Sequence, residues 1–230
     1  MKQAELEDVL QQHALWLDDC RKGKKADLSG ADLSDADLYR ANLSRAYLCG
    51  ARMIHVNLRH ACLAGANMEG ANLTSACLIG ASLFEASLRQ AVCDMANMRN
   101  ADLQRADFEK ASMEGTILND ANLAGADLTN VNLRRACMAG ANLTNVCLSE
   151  AKFSSTYGIR HASLVFAGLG EMSRQWLLVE QDGKPVFHIG CFKGTQAGLK
   201  RSIVRGPKKY RASRTRAMEM LLEMYEFSKP

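Results

Sequence analysis

The sequence predicts an all-β solenoid, a four-sided coil with a helix at its N-terminal end and a small α+β module after it. Three observations predict this class. From Ala26 to Ser155 the chain falls into 26 consecutive five-residue units without an insertion. The first position of the unit is Ala in 22 of them, with Val56, Thr116, Val131 and Val146 as the exceptions. The third position is Leu in 18, and otherwise Met, Phe or Cys93.

A period of five fits neither an amphipathic helix nor an alternating strand. The small first residue and the large third residue lie two apart, on the same side of an extended segment. A chain that turns after each such unit aims both toward a central axis, and four units close a roughly square coil. Successive coils then stack by backbone hydrogen bonds at about 4.8 Å per layer. The interior becomes a column of Leu, Met and Phe flanked by Ala, where larger residues would overpack. Asp and Asn, frequent at the second position, suit side-chain to backbone bonds at the corners.

The units ADLSG, ADLSD, ADLYR and ANLSR from Ala26 to Arg45 follow the pattern A(D/N)LXX. On these residues the chain resembles the pentapeptide-repeat family, over 26–155. The fold that the resemblance implies is a right-handed quadrilateral β-helix. Four units per coil give about six and a half coils and a rod roughly 30 Å long.

Residues 3–20 read as a helix with Leu6, Val9, Leu10, His13, Leu15, Trp16 and Leu17 on an imperfect apolar face. Such a helix would cap the exposed first coil, as solenoid ends require, or else make a dimer contact. Residues 156–230 abandon the repeat. Gln175–Glu180 and Val186–Phe192 read as two strands joined by an Asp-Gly hairpin signal. Thr195 is placed to cap a short helix over 196–204, and Arg211–Phe227 reads as a second helix. The expected division is therefore 1–25 capping helix and linker, 26–155 β-helix, and 156–230 α+β module. The module is similar to the tails of some phage and prophage proteins of the same family.

Composition narrows the function classes. No run of 18 or more apolar residues occurs and no signal-peptide pattern opens the chain, which points to a cytoplasmic protein without a membrane role. Eight cysteines are present without a C-x-x-C pair. Four of them, Cys62, Cys77, Cys137 and Cys147, share the second repeat position with Asn, Asp and Ser, so free thiols packed as small residues are expected. No metal or cofactor is expected. Catalytic sequence motifs are absent. His55 and His60 share one unit position on neighbouring faces and should point outward without partners. A Cys191–His188 dyad fails because residues three apart in a strand face opposite sides. A solid rod should also lack pockets, except where the C-terminal module docks. The expectation is a protein that is not an enzyme.

Two surfaces are candidates for a partner. Units starting every 20 residues from 26 share a face carrying Asp27, Glu69, Asp107, Glu109, Asp127 and Glu150, opposed by Arg89 and Lys110. An acidic strip on a narrow rod can imitate the phosphates of duplex DNA. Pentapeptide-repeat proteins that protect or inhibit DNA gyrase work by such mimicry, so the resemblance implies a gyrase-directed DNA mimic as one option. Those proteins often carry a projecting loop and a more acidic rod, and this chain has neither. The second surface is the basic series Lys200, Arg201, Arg205, Lys208, Lys209, Arg211 and Arg214, extended by Arg216, within a module of net charge +7. It suits phosphates or an acidic protein surface. The function expected is a non-catalytic scaffold that blocks or modulates a protein target, one that handles nucleic acid or acts in defence. Direct nucleic-acid binding by the basic module is the alternative, and a homodimer through a terminal helix stays open.

Overall fold

Each five-residue unit ends in a hydrogen-bonded turn. The amide of a first-position residue donates to the third-position carbonyl of the unit before, as Ala31 does to Leu28 at 3.1 Å and Ala86 to Leu83 at 3.0 Å. Every fifth position from Gly30 to Asn145 has a positive φ, between 55° and 73°. Negative then positive φ across a closed four-residue turn is type II geometry. Sixteen of these corners are not glycine, and each such corner costs about 1–2 kcal/mol. Burying one Leu contributes about 1.5–3 kcal/mol. A lone unit therefore barely holds its shape, and stability must come from stacking.

The computed structural model describes residue 1, residues 3–148, 151 and 152, the strand segments 161–165, 175–181, 184–189 and 192–194, and residues 215, 218 and 219. Within it, 22 isolated parallel bridges run from Asp27↔Tyr47 to Asn132↔Lys152, and each joins residues 20 apart. Four units thus make each coil, with no slip of register along the stack. Neighbouring coils exchange amide hydrogen bonds, such as Leu28 N–H to Tyr47 O at 2.8 Å and Tyr47 N–H to Ala26 O at 3.0 Å.

First- and third-position side chains from Ala46 to Leu133 are no more than 2 % exposed. The column adapts where the repeat departs from Ala and Leu. Phe108 is the largest fully buried side chain, and the coil that holds it also holds the small Cys93. That pairing keeps the layer's volume near constant, which a close-packed core demands. Thr116 stands in an Ala position, and its hydroxyl donates to Cys93 O at 2.9 Å, so its polar atom is satisfied.

Helix α1 spans Gln3–Asp18 and lies against the first coil. Leu6 and His13 are buried, while Val9 and Leu10 pack against the core. Leu15, expected on the apolar face, is 42 % exposed, because the contact stripe is narrower than the sequence pattern. His13 is the latch: Nδ1 accepts the Ala26 amide at 3.1 Å and Nε2 lies 3.1 Å from Ser44 O. Trp16 stacks on its ring at 5.6 Å. Burial pushes the His13 pKa down, and the nearby Lys25 charge pushes the same way.

The repeat ends in a sheet of order β1-β2-β3-β4-β5. Strand β1 (Val146–Cys147) pairs in parallel with β2 (His161–Val165), Val146 facing Leu164, so the offset drops from 20 to 18. Strands β3 (Gln175–Gln181), β4 (Lys184–Ile189) and β5 (Phe192–Gly194) follow as an antiparallel meander. Strands β3 and β4 pair antiparallel as the hairpin signal indicated, with Gln181 opposite Lys184, while Asp182 and Gly183 lie outside the described residues. The single strand expected over 186–192 is instead β4 and β5, folded back so that Ile189 pairs with Phe192. Of the expected helix 211–227, Thr215, Met218 and Glu219 are described, all helical, and Met218 joins the core cluster. The helix expected over 196–204 lies outside the described residues, as does its Thr195 cap.

Candidate binding surfaces

The second-position carboxylates and amides are structural before they are anything else. In every Asp or Asn at that position from Asp27 to Asn142, Oδ1 accepts the backbone amide two residues on. Asp27 takes Ser29 N–H at 3.1 Å, Asn72 takes Thr74 at 3.0 Å and Asp127 takes Thr129 at 2.8 Å. Hydrogen bonds from Ser29 hold the Asp27 carboxyl below its ordinary pKa, and Ser34 does the same for Asp32. Where the second position is Ser112, too short to serve, the cap comes from the previous coil. Asp94 Oδ1 there accepts both the Ser112 hydroxyl at 2.5 Å and the Glu114 amide at 2.9 Å.

The described carboxylates of the nominated face share one column of coils, and basic residues interrupt the row. Arg89 Nη1 lies 3.1 Å from Asp107 Oδ2, and its Nη2 pairs with Glu109. Lys110 Nζ reaches Glu109 Oε1 at 3.0 Å. The Lys110 ammonium, with Arg89 beside it, holds the Glu109 carboxyl below the ordinary range. Two of the five described carboxylates of this face, Asp107 and Glu109, are therefore paired within the rod. Asp27, Glu69 and Asp127 make no ion pair among the described residues. Glu150 and the whole basic series from Lys200 to Arg214 lie outside the described residues, as does Cys191.

Cys20, Cys49, Cys62, Cys77, Cys93 and Cys137 carry free thiols. Cys93 is wholly buried, and burial pushes its thiol pKa up to about 12, which removes it as a nucleophile at neutral pH. Among the described residues no group of three or more His, Cys, Asp or Glu could hold a metal ion. No described helix is long and apolar enough to cross a membrane. A crevice of about 230 Å³ opens between α1 and the first coil, lined by Asp8, Val9, Gln12, Lys24, Lys25, Ala26 and Asp27. It corrects the expectation of pockets only beside the C-terminal module: a round helix laid on a square coil leaves a gap along its edge.

One cluster escaped the sequence reading. Tyr39, Arg40, Arg59 and His60 meet on successive coils, and His60, expected to be partnerless, stands edge-on to Tyr39 at 5.9 Å. The signal was present in the spacing. Tyr39-Arg40 and Arg59-His60 lie 20 residues apart, one full coil, and so stack.

A four-unit coil closed around a filled Leu/Ala column defines a β-helical repeat protein. The chain belongs to the pentapeptide repeat family. The family model described as pentapeptide repeats (8 copies) matches residues 24–53, 51–90, 81–120 and 116–154. A comparison with curated proteins gives no match. Among solved structures, the chain is similar to HetL from the cyanobacterium Nostoc sp. strain PCC 7120, a protein involved in heterocyst differentiation regulation. Identity there is 34%, over 59% of this chain and 73% of HetL, with a TM-score of 0.34. A pentapeptide repeat protein of the Arabidopsis thaliana thylakoid lumen is 37% identical over 48% of this chain and 70% of its own, TM-score 0.31. Trypsin-treated QnrB1, a plasmid-mediated fluoroquinolone resistance protein, is 19% identical over 55% and 70%, TM-score 0.24. All three scores lie below 0.5.

Proposed function

We propose that this protein is a non-catalytic scaffold that docks onto a protein target and blocks or modulates it. The observation that carries the reading is the unbroken 20-residue register, with 22 bridges and a capping bond at each second-position Asp and Asn. A surface already fixed in this way loses little conformational entropy when a partner binds. In this reading 1–25 seals one end, 26–155 presents the docking faces and 156–230 supplies a basic module. The target is one that handles nucleic acid or acts in defence.

A gyrase-directed DNA mimic is the narrower version. It needs a continuous row of free carboxylates, and the Arg89 clamp on Asp107 and Glu109 divides the row. It therefore rests on Asp27, Glu69 and Asp127. Direct nucleic-acid binding through the C-terminal lysines and arginines is a separate reading, motivated by the local charge of +7.

Affinity capture from bacterial lysate, using the full chain and the Glu69→Lys/Asp127→Lys variant side by side, tests the scaffold. The expected result is one dominant protein retained by the native chain and lost or weakened with the variant if the acidic face docks. Retention by both chains moves the contact to another face. Capture of nothing by the native chain contradicts the reading.

A further inference from the structure

We propose that the corner formed by Tyr39, Arg40, Arg59 and His60 is a docking surface for a single-stranded nucleic acid. The claim is independent of the protein target proposed above.

The side chains converge on one ring. The Arg40 guanidinium carbon lies 5.1 Å from the Tyr39 ring centre and that of Arg59 5.6 Å, while Tyr39 remains 45 % exposed. Elsewhere on the rod Arg52, Arg89 and Arg105 each pair with a carboxylate. Arg40 and Arg59 pair with none among the described residues. The nearby acid, Asp37, makes no ion pair with either among the described residues. Its Oδ1 accepts Asn57 Nδ2 at 2.7 Å and the Tyr39 amide at 3.1 Å.

The same chain of bonds fixes Arg59. Asn57 Oδ1 accepts Arg59 Nε at 3.0 Å, which orients the guanidinium and leaves its two terminal nitrogens to face a ligand. His60 stands edge-on to the Tyr39 ring. It lies over Gly80 one coil on, where an added Cβ would stand 2.7 Å from its Nδ1. An exposed ring flanked by two unneutralised guanidinium forks, that of Arg59 oriented by Asn57, is what a flexible phosphodiester strand requires: bases to stack, phosphates to take the forks. Arg99 stands two coils beyond Arg59 in the same column, about 10 Å away, and extends the cationic path. An acidic peptide would use the charges but would have no use for the ring.

Fluorescence anisotropy with labelled single-stranded DNA and RNA 12-mers of mixed sequence, across a salt series, tests the proposal on the full chain. Arg40→Gln/Arg59→Gln should flatten the slope of log K against log salt by about 1.4, at ~0.7 per lost phosphate contact. Tyr39→Leu should weaken binding at least about fivefold with the slope unchanged. Arg40→Lys/Arg59→Lys, which keeps the charge, should restore the slope. Lys208→Gln/Lys209→Gln reports any contribution from the basic module and should leave these differences intact. The DNA and RNA arms show which strand is preferred. Native melting of each variant confirms the rod. No binding by the native chain at 50 mM salt, or an unchanged slope in the arginine variant, overturns the proposal. So does a neutral Tyr39→Leu accompanied by equal competition from polyglutamate.

Discussion

At the residue scale, two corner rules govern what each repeat position tolerates. The first is the capping bond. Asp102 Oδ1 accepts the Gln104 amide, and Asn at that position would serve equally. Asp102→Asn should melt like the native protein, whereas Asp102→Ala should lose about 1 kcal/mol by thermal unfolding. For Asp27 and Asp32, whose folded pKa values are lowered by the caps, stability is present above the unfolded value of about 3.9. It is lost as pH falls below that value toward the depressed one. The second rule concerns the fifth position. A large side chain there leans over the fifth position of the next coil, and a glycine often stands beneath it. His60 lies over Gly80, Met95 over Gly115 and Asp120 over Gly140, while Gly50 and Gly70, which follow other glycines, have nothing within 4 Å. Gly50→Ala should therefore cost only the left-handed backbone penalty of about 1–2 kcal/mol. Gly80→Ala should cost more, and His60→Ala added to it should return the difference. Equal costs in the two glycine variants would refute the rule.

At the scale of elements, the core layer and the helix latch make separate predictions. Phe108→Ala should lose about 3–5 kcal/mol, because the stacked layers above and below prevent collapse into the cavity. Cys93→Leu, adding bulk to the coil that already holds Phe108, should destabilise by about 1–3 kcal/mol through overpacking. Chemical denaturation measures both. The α1 latch depends on a neutral His13, since Nδ1 must accept the Ala26 amide. The folded His13 pKa is lowered from its ordinary value, so the unfolded chain binds a proton more readily. Its contribution is complete above about pH 6.5 and declines as pH falls through the window below that value. Exchange of the Ala26 amide, normalised to a coil amide such as that of Leu88, should accelerate selectively on acidification through that window. Parallel changes in both amides would exclude a local latch.

At the scale of the molecule, the β-helix was readable because one five-residue signal recurs 26 times and each copy carries its own turn, cap and core residue. The second-position Asp and Asn were readable as caps for the same reason. The acidic strip was readable only as composition, since counting charges by face cannot show that Arg89 bridges Asp107 and Glu109. The Tyr39 cluster was missed because its members are 20 residues apart and meet only after the coil is closed. Strands β4 and β5 were read as one strand over 186–192 because the string 188–195, legible as a strand end and turn, does not itself say that the chain turns back to pair Ile189 with Phe192. Long-range pairing decided each of these points: within the repeat it follows the 20-residue coil spacing, and outside the repeat periodicity carries no record of it.

The coils from Asp27 to Lys152 are locked in one 20-residue register. Distance measurement by double electron–electron resonance tests this most directly, with bio-orthogonal spin labels replacing Asp35 and Arg135, two exposed corners of one column five coils apart. A register-locked rod gives a narrow distribution of label separations consistent with a corner spacing of about 24 Å, or five layers of ~4.8 Å. A broad distribution, or one incompatible with five stacked layers, would contradict it.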